Sequence, residues 1–187
     1  MAPGRSSDRM ASLITEAEFA ALFRTFRVSA WRLEASTYKL DYEAAEYQRF
    51  IAGQPTAPPQ VSWWRPWLDR VRGWKERGME IGRVRVDDVP LTPYQRWQRW
   101  SEPWHREVGE DIRHLPRPRA AALGLPLYDY WLFDDDRVVL MLFNSAGELT
   151  GRVLIQHSDA PGIVGQHCRW RDLAVENAAM AEAAATT

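Results

Sequence analysis

A chain of 187 residues, 45% apolar and 26% charged, is long enough to bury a sizeable core within one domain. A formal net charge of −1 and an isoelectric point near 6.4 disfavour non-specific binding to polyanions, although residues 63–119 hold many of the arginines and leave room for a local basic face. One cysteine, Cys168, excludes an intrachain disulfide and a cysteine-rich metal site.

Residues 1–12 are polar, with Gly, Ser and Arg, and read as a disordered leader without the apolar run of a signal peptide. From 13 to 187 the chain reads as a single α+β domain. Thr15 with Glu18 forms a capping-box pattern, and Phe19, Leu22, Phe23 and Phe26 follow at helical spacing, so 16–26 is a predicted amphipathic helix. Residues 28–34 read as a strand. Asp41 is placed to cap a second helix with Tyr42, Glu46, Tyr47 and Phe50 on one face and Gly53 as its stop. Pro55, Pro58 and Pro59 make 54–60 a Pro-rich internal loop.

Helical spacing resumes with Trp64, Trp67, Leu68, Val71 and Trp74, with Pro66 in the first turn, where its missing N–H costs nothing. Ile81, Arg83 and Arg85 then alternate with Gly82, Val84 and Val86, which is strand periodicity. A Pro90–Pro93 turn leads to an aromatic helix at about 93–107. A short strand, Asp111–Leu115, precedes a Pro/Arg loop at 116–119. Leu127–Phe133, Arg137–Phe143 and Glu148–Gln156 are predicted strands joined by turns at Asp134–Asp136 and Asn144–Gly147, a three-strand meander. In it Val138, Leu140 and Leu142 share one face, and Val139, Met141 and Phe143 the other. A last helix runs from about Gly162 to Ala185, its Ala-rich end at 175–187 fraying for want of anything to pack against. This order predicts a mostly antiparallel sheet with the C-terminal meander, flanked by helices.

No complete catalytic or cofactor motif is present. The histidines (His105, His114, His157 and His167) form no metal-ligand pair, Asp134-Asp135-Asp136 has a turn's spacing rather than a calcium loop's, and no metal site or cofactor is expected. Cys168 lies between His167 and Arg169, but neighbours along a helix point in different directions, and an ordinary thiol is expected. Gly162–Gly165 is a G-x-x-G too common to signify.

The notable constellation is polar and aromatic. Ten tryptophans are present, and several crowd the arginine-bearing clusters Trp63–Trp67 and Arg96–Trp100. Arg83 and Arg85 project to one strand face. Tyr94, Arg96, Trp97 and Glu102 follow on a helix, and Asp111 and Arg113 stand on the next strand beside Glu110. With Trp131 these residues form a candidate site for an anionic or carboxylate-bearing ligand, with Arg85, Arg96 and Arg113 expected to converge. The competing reading is a salt-bridge network at the rim of an aromatic core. Arginines interleaved with aromatics also suit base stacking, but the charge balance and the lack of an RNA-binding sequence pattern disfavour nucleic acid.

The segments Phe26–Glu34, Arg83–Val86, Pro90–Trp97, Gly109–Arg113 and Asp129–Asp134 together resemble an actinobacterial domain-of-unknown-function family, whose members sit beside helix-turn-helix regulators and small acidic partner proteins. The resemblance spans about residues 16–180 and implies a cytoplasmic, regulator-associated protein. It assigns no catalytic residue. A fainter likeness is to phospholipase-D-like folds, where a hairpin after a helix bears H-x-K-x-x-x-x-D. The corresponding stretch here reads Asp129, Trp131 and Asp136, without the histidine and the lysine, which implies a degenerate binding version.

The leading reading is therefore a non-catalytic protein that binds a small anionic ligand or a protein partner (a helix-turn-helix regulator or a small acidic protein) in a regulatory setting, away from membranes. An enzyme of uncommon type using a Tyr/Arg/carboxylate pocket is the first alternative, and a nucleic-acid binder the second. A large dry pocket lined by Arg85, Arg96 and Trp131 would favour the enzyme, a flat exposed tryptophan patch the protein partner, and a continuous basic groove the nucleic acid.

Overall fold

The computed structural model describes residues 11–36 and 43–180. Period-two alternation along the strands gives the sheet two apolar faces, and helices cover both. The strands are β1 (Ser12–Leu13), β2 (Ser29–Glu34), β3 (Glu80–Asp87), β4 (Asp111–Pro116), β5 (Tyr130–Phe133), β6 (Arg137–Phe143), β7 (Leu149–Gln156) and β8 (Ala179–Met180). They form one sheet in the order β1-β7-β6-β5-β2-β3-β4-β8. β2, β3 and β4 are parallel, and every other pairing is antiparallel, so the fold is α+β with a mostly antiparallel sheet.

The helices are α1 (Glu16–Thr25), α2 (Ala44–Ile51), α3 (Arg65–Glu76), α4 (Pro93–Glu107), α5 (Arg117–Ala122) and α6 (Pro161–Asn177), with a short 3-10 turn at Pro58–Gln60. On one face Phe23 of α1, Leu68, Val71 and Trp74 of α3 and Trp97 of α4 pack over Ala30, Ile81, Trp131 and Phe133. On the other, Ala120 of α5 and Val164 and Ala174 of α6 pack over Leu33, Val84, Leu115 and Tyr130. Among the described residues no helix is long and apolar enough to cross a membrane.

The meander forms as its alternation requires. β5, β6 and β7 pair antiparallel in sequence order. Val139, Met141 and Phe143 join the α1/α3/α4 side, and Val138 and Leu140 the α5/α6 side. Thr15 and Glu18 make the capping box reciprocally, and α4 starts with a second one, Thr92 with Gln95.

Five boundaries differ from the sequence expectation. Ser12, assigned to the leader, bonds with Leu13 onto β7. The predicted cap Asp41 and its neighbour Tyr42 lie outside the described residues, and α2 begins at Ala44. The Pro/Arg loop is helix α5, because Pro118 sits in its first turn, where no N–H is required, and three alanines follow. The first meander strand starts at Tyr130, and Leu127 and Tyr128 before it are exposed. The last helix stops at Asn177, and Ala179–Met180 pair antiparallel with β4. Alanine's helix propensity yields there to the open edge of β4, whose backbone groups need partners.

Asp134 does more than solvate a turn. Asp134 and Asp135 take positive φ (52° and 55°). The Asp134 carboxylate accepts backbone N–H bonds from Arg27 (3.1 Å), Val28 (2.8 Å) and Ser29 (3.1 Å), clamping the start of β2 to the β5–β6 hairpin.

Trp131 is 4% exposed and packs edge-on to Phe23 and stacked with Phe133. Truncating a buried tryptophan costs about 3–5 kcal/mol. Trp131→Ala is expected to lose stability of that order in urea titrations. An unchanged midpoint contradicts the packing described here.

Candidate ligand cavity on an arginine floor

The parallel register decides which charges meet. Arg32 lies beside Arg83 and Glu34 beside Arg85, so the carboxyl-terminal half of β2 and β3 presents a charged seam on one face. Open sheets with parallel strands place ligands at that end of the strands. Burial leaves these groups little water, so each finds a protein partner. Arg83 donates to Glu110 Oε1 from Nε (2.7 Å) and also from Nη2, and to Glu34 Oε1 from Nη1 (2.8 Å). Arg85 donates to Glu34 Oε2 (2.7 Å) and Glu102 Oε1 (2.7 Å). Arg32 pairs with Glu34 (3.1 Å) and with the fully buried Asp129 (2.9 Å), whose other oxygen accepts the backbone N–H groups of Ala35 and Ser36.

Two histidines extend the network. Trp64 Nε1 donates to His105 Nε2 (2.8 Å), which places the ring's own proton on Nδ1, 2.6 Å from Glu110. Gly109, at φ +96°, lets the chain after α4 fold back so that Glu110 reaches His105. His114 has Asp87 at 2.7 Å from Nδ1 and Glu102 at 2.9 Å from Nε2, an environment that suits the imidazolium.

Burial alone would raise the Glu34 carboxyl, but Arg32, Arg83 and Arg85 outweigh it and hold it well below the usual range. Glu110 is lowered in the same way, burial being outweighed by Arg83 and His105. Glu102 and Asp87 are lowered against burial chiefly by His114, which they in turn raise. Glu43, at the start of α2, is the exception. Burial pushes it up to about 7, and its hydrogen bond from Tyr94 Oη does not reverse this.

Above the seam lies a cavity of about 550 Å³. Trp63, Trp64, Trp67, Trp97 and Trp131 wall it, Arg32, Arg83 and Arg85 floor it, and Glu43, Tyr94 and His105 also face it. The Arg83 guanidinium lies 5.8 Å from the Trp67 ring centroid and 5.9 Å from that of Trp131, so the indoles cover the cations as well as enclosing space. Trp63 and Trp64 stack at 4.9 Å with 9° between planes. Among the described residues the buried Trp97 Nε1 finds no acceptor.

Of the residues predicted for a site, Arg83, Arg85, Tyr94, Trp97 and Trp131 line this cavity, and Glu102 lies beneath it, bonded to Arg85. Arg96, Asp111 and Arg113 do not join them. Arg96 is exposed and donates to Leu91 O (2.9 Å). Arg113 pairs in register with Val84, not with an arginine, so it points to the opposite sheet face, where it bonds Asp111 and Val175 O. The residue in register with Arg85 is His114. The expected convergence of Arg85, Arg96 and Arg113 is thus replaced by Arg32, Arg83 and Arg85. Arg32, Glu34 and Glu43 were missed. Their one sequence signal was the i, i+2 pair Arg32/Glu34, which matches Arg83/Arg85.

Of the phospholipase-D-like positions, Asp129 and Trp131 both meet Arg32, and Asp136 stands apart on the exposed turn. Among the described residues no group of three or more His, Cys, Asp or Glu side chains could hold a metal ion.

Fold and site together define an α+β domain with a tryptophan-walled cavity on a buried ion-pair floor. The chain belongs to the family described as "Domain of unknown function (DUF6879)", whose profile matches residues 17–183. No curated protein sequence matches it. Among solved structures it is similar to NucT from Helicobacter pylori, at 12% identity over 90% of this chain and 96% of that one, with a TM-score of 0.43, a likeness too low to carry an argument about fold or activity.

Two outcomes are expected of the network. Glu110→Gln takes from Arg83 one of its two buried counter-charges and costs about 3–5 kcal/mol, measured by urea denaturation at pH 7. Stability also depends on pH in both directions. Glu34, Glu102, Glu110 and Asp87 are lowered in the fold, so their contribution is present above the unfolded carboxylate range, about pH 4, and is lost as pH falls below it. Glu43 and His114 are raised, so their contribution is present below their unfolded values and is lost as pH rises through the folded ones, about 7 for Glu43. Stability should peak on the acid side of neutrality, and Glu43→Gln should flatten the decline between about pH 4.5 and 7. An unaltered profile in that variant contradicts the assignment of Glu43.

Proposed function

We propose that this protein binds a small organic anion whose flat apolar body lies between the tryptophan walls and whose acidic group meets the guanidinium edges of the floor. One observation carries the reading: a cavity of about 550 Å³ in which aromatic walls and a few convergent polar groups occur together. Binding sites for small molecules commonly span about 300–1,000 Å³ and combine those two features. The bonds made by Arg83 engage three N–H groups, and a guanidinium has about five to offer. A flat exposed tryptophan patch would favour a protein partner; here Trp63 stands half-buried at the wall of a recess, which supports the small-ligand reading. A formal charge of −1 keeps nucleic acid the less favoured partner. A regulatory setting is proposed on the resemblance to an actinobacterial family found beside helix-turn-helix regulators.

The test is a thermal-shift and calorimetric screen of the full chain against planar aromatic carboxylates, with naphthalene-2-carboxylate as the reference. Saturable binding of one molecule per chain with quenching of tryptophan fluorescence is expected. A ligand at 100 times its Kd stabilises the fold by about 2.7 kcal/mol. Trp63→Ala should weaken binding about fivefold to tenfold, in keeping with the loss of one aromatic contact, while the fold is kept. If no planar acid in the screen raises the melting temperature, the reading fails.

A further inference from the structure

We propose that the cavity takes its ligand as an anion together with one proton, and that the Glu43 carboxyl holds this proton. The proposal deepens the anion-binding reading and rests on it. It follows from the charges present. Among the described residues the guanidiniums of Arg32, Arg83 and Arg85 already face four buried carboxylates, those of Glu34, Asp129, Glu102 and Glu110. A floor neutralised in this way has no spare positive charge of its own; of the other cations that line the cavity, Arg152 pairs with Glu16 and Arg70 is exposed, so a bare anion set on the floor would stand poorly compensated. Charge balance is recovered when a carboxyl facing the cavity takes up a proton.

Among the described residues, Glu43 is the carboxyl placed for this. The four floor carboxylates are each locked to at least one guanidinium, whereas Glu43 pairs with no cation and has one hydrogen bond, from Tyr94 Oη to Oε2. Among the described residues its Oε1 has no hydrogen-bond partner, and the residue is partly exposed and lines the cavity. The charged and titratable groups that face it are Tyr94 from α4, Arg32 and Glu34 from β2, and Arg85 from β3. Glu34 repels an ionised Glu43, and the two arginines do not compensate for its burial, so the carboxyl already rests near 7 in the empty cavity. A second negative charge from a ligand raises it further. In the protonated state the hydroxyl of Glu43 can donate to the ligand's acidic group. The same carboxyl, once ionised, repels that group.

The pH dependence follows by linkage. Affinity for an anion should be constant below the value for the empty cavity, about 7, and should fall about tenfold per pH unit above it until the raised value of the complex is reached. The experiment is calorimetry on the full chain from pH 5.5 to 8.5 with naphthalene-2-carboxylate and, as its neutral counterpart, naphthalene-2-carboxamide, each in two buffers of different ionisation enthalpy. For the carboxylate, a loss of about tenfold or more between pH 7 and 8.5 is expected, with uptake approaching about one proton per ligand. The carboxamide should bind without that slope. Glu43→Gln, a fixed mimic of the protonated form, should bind the carboxylate with a flat profile, whereas any share belonging to His105 or His114 would survive in that variant. Carboxylate affinity that is level across the range without proton uptake, or a slope retained in Glu43→Gln, overturns the proposal and leaves the anion site standing. Binding of neither compound overturns both.

Discussion

Guanidinium groups under a layer of tryptophans cannot rely on water, and much of the surrounding structure is arranged to neutralise them. Glu34 sits among three of them on the central strands, and the carboxylates that complete the shell arrive from separate parts of the chain: Asp129 from before β5, Glu102 from α4 and Glu110 from the turn after α4. Each of those segments is fixed by what it must deliver. The φ of Gly109 aims Glu110, the parallel register of β2 and β3 sets Glu34 beside Arg85, and Asp129 ties Arg32 to the backbone at Ala35 and Ser36. Removing one member of such a network leaves a buried charge without its counterpart, which is why single changes there are more damaging than the modest net worth of an ion pair suggests.

Much of the fold was legible because period-two and period-3.6 patterns survive whatever the tertiary context. The meander, the two faces of β6, the capping box at Thr15 and the burial of Trp131 all follow from local alternation and cap chemistry. Arg83 and Arg85 were legible for the same reason. What escaped was register between strands distant in sequence. Nothing local says that β2 lies parallel to β3, so Arg32 and Glu34 could not be set beside Arg83 and Arg85. A single step of register separates Arg113 from His114, and with it the two faces of the sheet. Arg96 failed differently: it is one residue before Trp97 on a helix, and adjacent helical positions diverge, so the buried Trp97 leaves Arg96 exposed. At the C-terminus, propensity favoured a longer helix, and the need to cover an edge strand prevailed.

The tryptophans serve the charges as much as the core. Trp67 and Trp131 lie over Arg83, Trp131 also lies over Arg32, and the indole N–H groups of Trp64 and Trp67 reach His105 and Glu110. Aliphatic side chains could fill the same volume, but they offer neither an N–H for a buried acceptor nor a face for a cation. The choice of tryptophan is therefore tied to the ionic floor.

A fold that needed only stability has cheaper solutions. Well-packed apolar residues in place of a buried ion network are often neutral or stabilising, because desolvation offsets much of the Coulombic attraction. The apolar faces around β5 and β6 show that this sheet packs in that ordinary way where nothing else is asked of it. The ionic floor lies in the carboxyl-terminal half of the parallel strands, under the open volume, and its ion pairs run on through His114 to Asp87 and Arg99; Glu43, which has no cation attached among the described residues, faces the same space. This coincidence of charge, cavity and unpaired carboxyl is the ground on which the proposed anion site rests.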